Sequence, residues 1–257
     1  MSAQAGEGSR ASHPAFRALG DRELPETIQL ENGVHRRVRS LQHSFFSATG
    51  LYETEGGERM IYKVGREAPL FGLPLRFLGR LLTRHELDLY RAVRGIPGVP
   101  DQFESVGDTG LARPFIDGHP LERGERVDDE FFPRLQRLLR SIHERDVALV
   151  DLQKSNNVLV GSDGKPYLFD FGGSWRLRAS GLQRLFPRSL RRAVLRRLQT
   201  SDDFHVLKHW RRSRPDTISA EELARSSRPG PWIRIHRVFH NKWRAFRRWL
   251  FQSHGDA

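Results

Sequence analysis

Two carboxylates and an amide, spread over twenty positions, are the residues of this sequence best placed to do chemistry. Asp151 is followed five residues later by Asn156, and further on by Asp170-Phe171-Gly172. All three side chains offer oxygen, the donor type that a hard divalent cation such as Mg2+ takes. A carboxylate in such a set can also accept or orient the proton of an incoming hydroxyl. Upstream lie a cation within an apolar flank, Lys63 in Ile61-Tyr62-Lys63, and a carboxylate, Glu86. The chain has no cysteine, which excludes disulfides, thiolate zinc sites and cysteine nucleophiles.

These groups work only if the chain fixes their separation. Asn157–Val160, a Ser162-Asp163-Gly164 turn and Tyr167–Phe169 read as a β-hairpin between Asp151 and Asp170, and strand pairing sets register. Gly172 permits a sharp turn after Asp170. A one-residue shift of the loop would put Asn157 in the place of Asn156. Further upstream, His35–Leu41, Gly50–Thr54 and Arg59–Val64 read as strands, with a turn at Glu55–Glu58. From Leu75 the residues Leu78, Leu81, Leu82, Leu89 and Tyr90 recur at helical spacing, and Gly95-Ile96-Pro97-Gly98 ends that helix. Gln102–Val106 and Leu111–Phe115 read as strands. A helix from Asp128 carries Phe131, Leu135, Leu138, Leu139 and Ile142 on one stripe. Strands with one helix, then a mostly helical half, predict an α+β architecture with a β-rich lobe followed by an α-rich lobe. The expected division is a flexible tail over 1–20, an N-lobe over 21–115 and a C-lobe over 116–257.

An Asp, an Asn five residues on, and a hairpin ending in Asp-Phe-Gly together resemble the catalytic and metal-binding loops of the protein-kinase-like superfamily. The resemblance covers roughly His35 to Trp175. It implies a two-lobed kinase-like fold with ATP in the cleft between lobes. It makes Asp151 the residue that serves the acceptor hydroxyl, and Asn156 and Asp170 the Mg2+ ligands. Lys63 would contact the α- and β-phosphates, with Glu86 pairing to hold it. Phe115–Leu121 looks like the lobe-connecting hinge, where the backbone of Ile116 and Gly118 would meet adenine. His143 matches the helix before the catalytic loop and is expected to pack or cap rather than catalyse.

Three departures narrow the resemblance. Leu149-Val150 stands where eukaryotic-type protein kinases have His-Arg, so the arginine that meets a phosphorylated activation loop is absent. No Gly-rich loop is present; His43–Gly50 takes its place, and its amides with the Ser44, Ser47 and Thr49 hydroxyls are the expected phosphate contacts. No Ala-Pro-Glu follows Asp170-Phe171-Gly172. The reduced plan is most similar to the lipopolysaccharide core kinases, acting on heptose or Kdo, and to the RIO-type kinases. The former often carry Asp where Gly172 stands. The resemblance implies phosphorylation of a sugar hydroxyl of lipopolysaccharide core or a related envelope glycolipid. A RIO-like serine/threonine protein kinase and a nucleotide-binding pseudokinase scaffold are the alternatives.

Charge separates the two halves. From Phe171 onward the chain carries 20 Lys and Arg against 6 Asp and Glu, a surplus larger than the net +12 of all 257 residues, so the front is slightly acidic. Between Asp170 and Asp202 lie eight arginines and no acidic residue, interleaved with Leu182, Leu185, Phe186, Leu190, Val194 and Leu198. Near the end, Trp232, Ile235, Phe239, Trp243, Phe246 and Leu250 form an apolar stripe among arginines and lysine. Such helices suit an anionic membrane surface. No nucleic-acid motif accompanies them. No stretch reaches the roughly 20 apolar residues of a membrane span, and the first residues lack a signal-peptide core. A cytoplasmic monomer is expected, peripheral at the inner face of the membrane.

Overall fold

The computed structural model describes residues 14–154, 157–177 and 185–227. The chain divides into two compact units, one formed by Met1–Gly95 with Val99–Asp117, the other by Ile96–Gly98 with Gly118–Ala257.

The first unit is a six-stranded antiparallel sheet and one helix. The strands are β1 (Thr27–Leu30), β2 (Gly33–His43), β3 (Ser47–Glu53) and β4 (Arg59–Gly65); helix α1 (Arg76–Val93) follows, then β5 (Glu104–Val106) and β6 (Gly110–Pro114). Their order is β1-β2-β3-β4-β6-β5. The sheet curls until its edges β1 and β5 meet, and the Glu31 amide donates to the Glu104 carboxylate across that seam. Inside the curl, Leu24, Ile28, Ala48, Tyr52, Tyr62 and Ala112 form the core. The alternation of strand side chains therefore sends Ala48, Tyr62 and Val64 inward and Thr49 and Lys63 to the other face.

Ala18 and Leu19, placed by the sequence reading in a tail running to Gly20, belong to the packed unit. Both are buried, and the Ala18 carbonyl accepts from the amides of Glu67 and Ala68. Two apolar residues in a polar stretch are enough to anchor it. Strand β1, unrecognised in the sequence, is short and alternates buried and exposed positions.

In the second unit, β7 (Gly118–Pro120) precedes α2 (Phe131–Glu144). Then come β8 (Val147–Ala148), β9 (Val158–Gly161), β10 (Pro166–Leu168), β11 (Trp175–Arg176), α3 (Arg188–Ser213) and α4 (Ala220–Ser227). All five residues of the predicted α2 stripe are buried. Gly118 is dictated by close approach: a Cβ there would lie 2.2 Å from the Val160 carbonyl oxygen of β9. Among the described residues no helix is long and apolar enough to cross a membrane.

Candidate active site

In the first unit, Lys63 is central on β4 and stands opposite Thr49 of β3, so both share one face. Its Nζ donates to both carboxylate oxygens of Glu86, at 3.1 and 2.8 Å. Glu86 is 6% exposed. Helix α1 reaches the strand because Gly79 carries no side chain; a Cβ there would lie 2.0 Å from the Arg66 carbonyl oxygen. The Thr83 hydroxyl, one turn on, donates to the Thr109 carbonyl. The inward face of α1 thus includes Gly79, Thr83 and Glu86, whereas Leu81, read as part of the apolar stripe, is exposed. The predicted stripe holds at Leu89 and Tyr90, which are buried, but the first turns of the helix pack through small residues that carry no hydrophobic signal.

The turn in place of a Gly-rich loop is closed by Ser44. Its hydroxyl donates to the Ser47 carbonyl and accepts from the Ser47 amide. Ser47 and Thr49 are half-buried, with Ser47 opposite Gly65. At the far end of the unit the Phe115 amide donates to the Arg59 carbonyl, and Arg59 pairs with Asp117 at 3.4 Å. Ile116 is half-buried, and Gly118 is an exposed position of the second unit.

In the second unit, two loops are held at both ends. The loop carrying Asp151 leaves β8 and enters β9; the loop carrying Asp170 leaves β10 and enters β11. β9 pairs with β10 and β8 with β11. Asp151, Asn157 and Asp170 line one recess together with Leu149, Leu152, Leu168 and Phe169. Asn156 lies outside the described residues. Asn157 donates from Nδ2 to the Asp151 carbonyl at 3.0 Å, which orients its amide and leaves Oδ1 as an acceptor. Asp170 accepts from the Gly172 amide at 3.2 Å, while Phe171 is fully buried. The Asp151 carboxylate, 34% exposed, accepts from Lys154 Nζ at 2.7 Å.

The backbone before Asp151 is strained. Val150 has φ +66°, a left-handed conformation that costs a β-branched residue about 1–3 kcal/mol. Asp202 of α3, fully buried, holds it. One carboxylate oxygen accepts from the Leu149 amide at 2.7 Å, the other from the Val150 amide at 2.9 Å. His143 Nε2 lies 3.3 Å from the first of these oxygens, so the expected packing histidine is a partner of Asp202. Seven residues along α3, His209 Nε2 donates to the Leu152 carbonyl at 2.8 Å. Burial lowers the pKa of His209, so the neutral ring is the form that makes this bond. Ser174 ties the second loop in, its hydroxyl donating to the Leu149 carbonyl at 3.3 Å.

The sequence reading missed Lys154, Ser174, Asp202 and His209. Only Asp202 had a visible signal: it is the first acid after a long arginine-rich stretch. The basic residues and aromatics beyond Ser227, with Arg178, Leu182 and Arg184, lie outside the described residues.

No family model and no curated protein sequence matches the chain. Among solved structures it is similar to the Rio2 kinase–ADP/Mg2+–phosphoaspartate complex from Chaetomium thermophilum, with a TM-score of 0.51 and 16% identity over 77% of this chain and 59% of that one. The likeness shows a protein-kinase-like fold. A second Rio2 kinase structure from the same organism matches at a TM-score of 0.48 and 15% identity, over 71% of this chain and 59% of that one. The kinase-like chain thus spans about three-fifths of the kinase it resembles.

The donor chemistry of the recess fits a nucleotide-bound magnesium ion. Asn157 and Asp170 offer an amide oxygen and a carboxylate there. Mg2+ is commonly held this way, by one or two protein oxygens completed by phosphate and water.

Proposed function

We propose that this kinase-like chain is an ATP- and Mg2+-dependent phosphotransferase acting on a hydroxyl acceptor. The observation that carries the reading is the convergence of Asp151, Asn157 and Asp170 on one recess. Asn157 and Asp170 are the residues that would hold the metal; Asn156, which the sequence reading put in that role, lies outside the described residues. The metal would neutralise charge on the phosphates during transfer. Asp151 receives or orients the acceptor proton, with Lys154 keeping its carboxylate in place. Lys63, held by Glu86, is the phosphate contact. Thr49 and Ser47, and the backbone of Ile116 and Gly118, are further nucleotide contacts. The Lys63–Glu86 pair supports the same reading, because a lysine fixed by a buried carboxylate presents its charge in one place.

As acceptor we favour a sugar hydroxyl of an envelope glycolipid, with the protein at the cytoplasmic face of the membrane. The second reading, a RIO-like serine/threonine protein kinase, is supported by the likeness to Rio2 kinase. Incubation of the full chain with γ-labelled ATP, Mg2+ and either lipopolysaccharide core glycolipid or a protein mixture separates them by where label appears. Asp151→Ala and Asp170→Ala should each lower turnover by about a thousandfold and leave the unfolding temperature unchanged. Nucleotide binding without turnover in the unmodified chain would replace both readings by a pseudokinase scaffold.

A further inference from the structure

We propose that the N-terminal half of α3, with the two residues that lead into it, is a docking face for an anionic lipid surface. α3 is apolar on two sides. Leu195, Asp202 and Val206 are buried on the side packed into the unit. At 3.6 residues per turn, Leu190 and Arg197 stand across the helix from them. Val194 lies toward one flank, Arg192 and Arg196 toward the other. Leu190 is 49% exposed, Val194 38%, and the preceding Leu185 and Phe186 76% and 53%. Single exposed apolar residues are ordinary on a protein surface; four within ten positions, bordered by arginine, form a patch that calls for a partner.

Charge decides which partner. Arg192, Arg196 and Arg197 are all exposed, and no acidic residue occurs between Asp170 and Asp202. The face is therefore complementary to a surface that is anionic and apolar beneath, the pattern that holds interfacial helices in the headgroup region. The chain's own last segment, 228–257, is a poor occupant, since it carries seven Lys and Arg against one Asp and would be repelled. A second copy meets the same repulsion. Nucleic acid would satisfy the arginines but leave four apolar side chains in water.

The inference does not depend on phosphotransfer and is tested without nucleotide. The full chain is mixed with phosphatidylcholine vesicles containing about one-third phosphatidylserine at about 0.15 M salt and separated by flotation. It should float with these vesicles, weaken steeply as salt rises, and ignore phosphatidylcholine alone. The pair Arg192→Glu, Arg196→Glu should weaken binding by at least about tenfold. Leu190→Ser with Val194→Ser should weaken it comparably without changing its salt dependence. Thermal unfolding checks each variant; should either pair lower stability, Arg192→Gln with Arg196→Gln removes the charge without reversing it and must weaken binding too. Failure of the unmodified chain to float overturns the proposal. So does undiminished binding by every α3 variant, which moves the contact to another segment. Tight binding to nucleic acid with indifference to vesicles overturns it as well.

Discussion

In the first unit a side chain holds a side chain: Glu86, buried on α1, grips the ammonium of Lys63 with both oxygens. In the second, a side chain holds backbone: Asp202, buried on α3, accepts two consecutive amides and thereby fixes Val150 at φ +66° just before Asp151. A lysine on the middle of a paired strand already has its backbone fixed by the ladder, so only the tip of a long flexible chain needs restraint. Asp151 sits on a loop, where the backbone itself must be pinned before a short side chain can point anywhere. The first arrangement is local. The second ties an element about 50 residues downstream to the loop that carries Asp151.

The comparison predicts that the two carboxylates fail differently. Asp202→Ala strands two buried amides and releases the strained turn, so the chain should lose about 3 kcal/mol of stability, read as a lower denaturant midpoint, and turnover should fall with it. Glu86→Gln leaves the strand and helix in place. It should lower kcat/KM for ATP about tenfold, or 1.4 kcal/mol, with a much smaller change in midpoint. Equal stability losses would break the distinction.

Val150→Gly sharpens it. Glycine adopts φ +66° without steric cost but gains freedom when unfolded, so the net effect should be a stability increase of up to about 1 kcal/mol. In the Asp202→Ala background the same substitution should do less, because nothing then enforces the turn. A double-mutant cycle by thermal unfolding reads that coupling.

The smallest effect is with pH. Burial depresses the pKa of His209 below its unfolded value near 6.5, so unfolding takes up a proton as pH falls through that value. The stability that neutral His209 provides is complete above about pH 6.5 and declines below it. Thermal unfolding of His209→Gln, compared with the unmodified chain between neutral and mildly acidic pH, should show a shallower fall.

The helix through Phe131, Leu135 and Ile142 was legible because its burial follows a single 3.6-residue period. The strand carrying Lys63 and the hairpin between Asp151 and Asp170 were legible because alternation and turn residues coincide. Helix α1 was legible in extent and in the burial of Leu89 and Tyr90, but not in its contact through Gly79, Thr83 and Glu86, which give no hydrophobic signal. Asn156 was read as the metal ligand, with Asn157 in its place if the loop shifts by one; Asn157 lines the recess with Asp151, and Asn156 lies outside the described residues. Strands β7, β8 and β11 are two or three residues long and exist only through their pairing.

By itself the sequence determined the residue types of the site, the order of the longer strands and of the first two helices, and the separation of a near-neutral front from a basic back. Those follow from local propensity, periodicity and composition. Only the tertiary structure decided that Asp202 and His209 hold the loop carrying Asp151, that the Asn157 amide donates to the Asp151 carbonyl, and that α3 leaves Leu190 and Val194 outside. Each of these depends on which residues distant in sequence come within hydrogen-bonding or packing distance, and no local pattern encodes that.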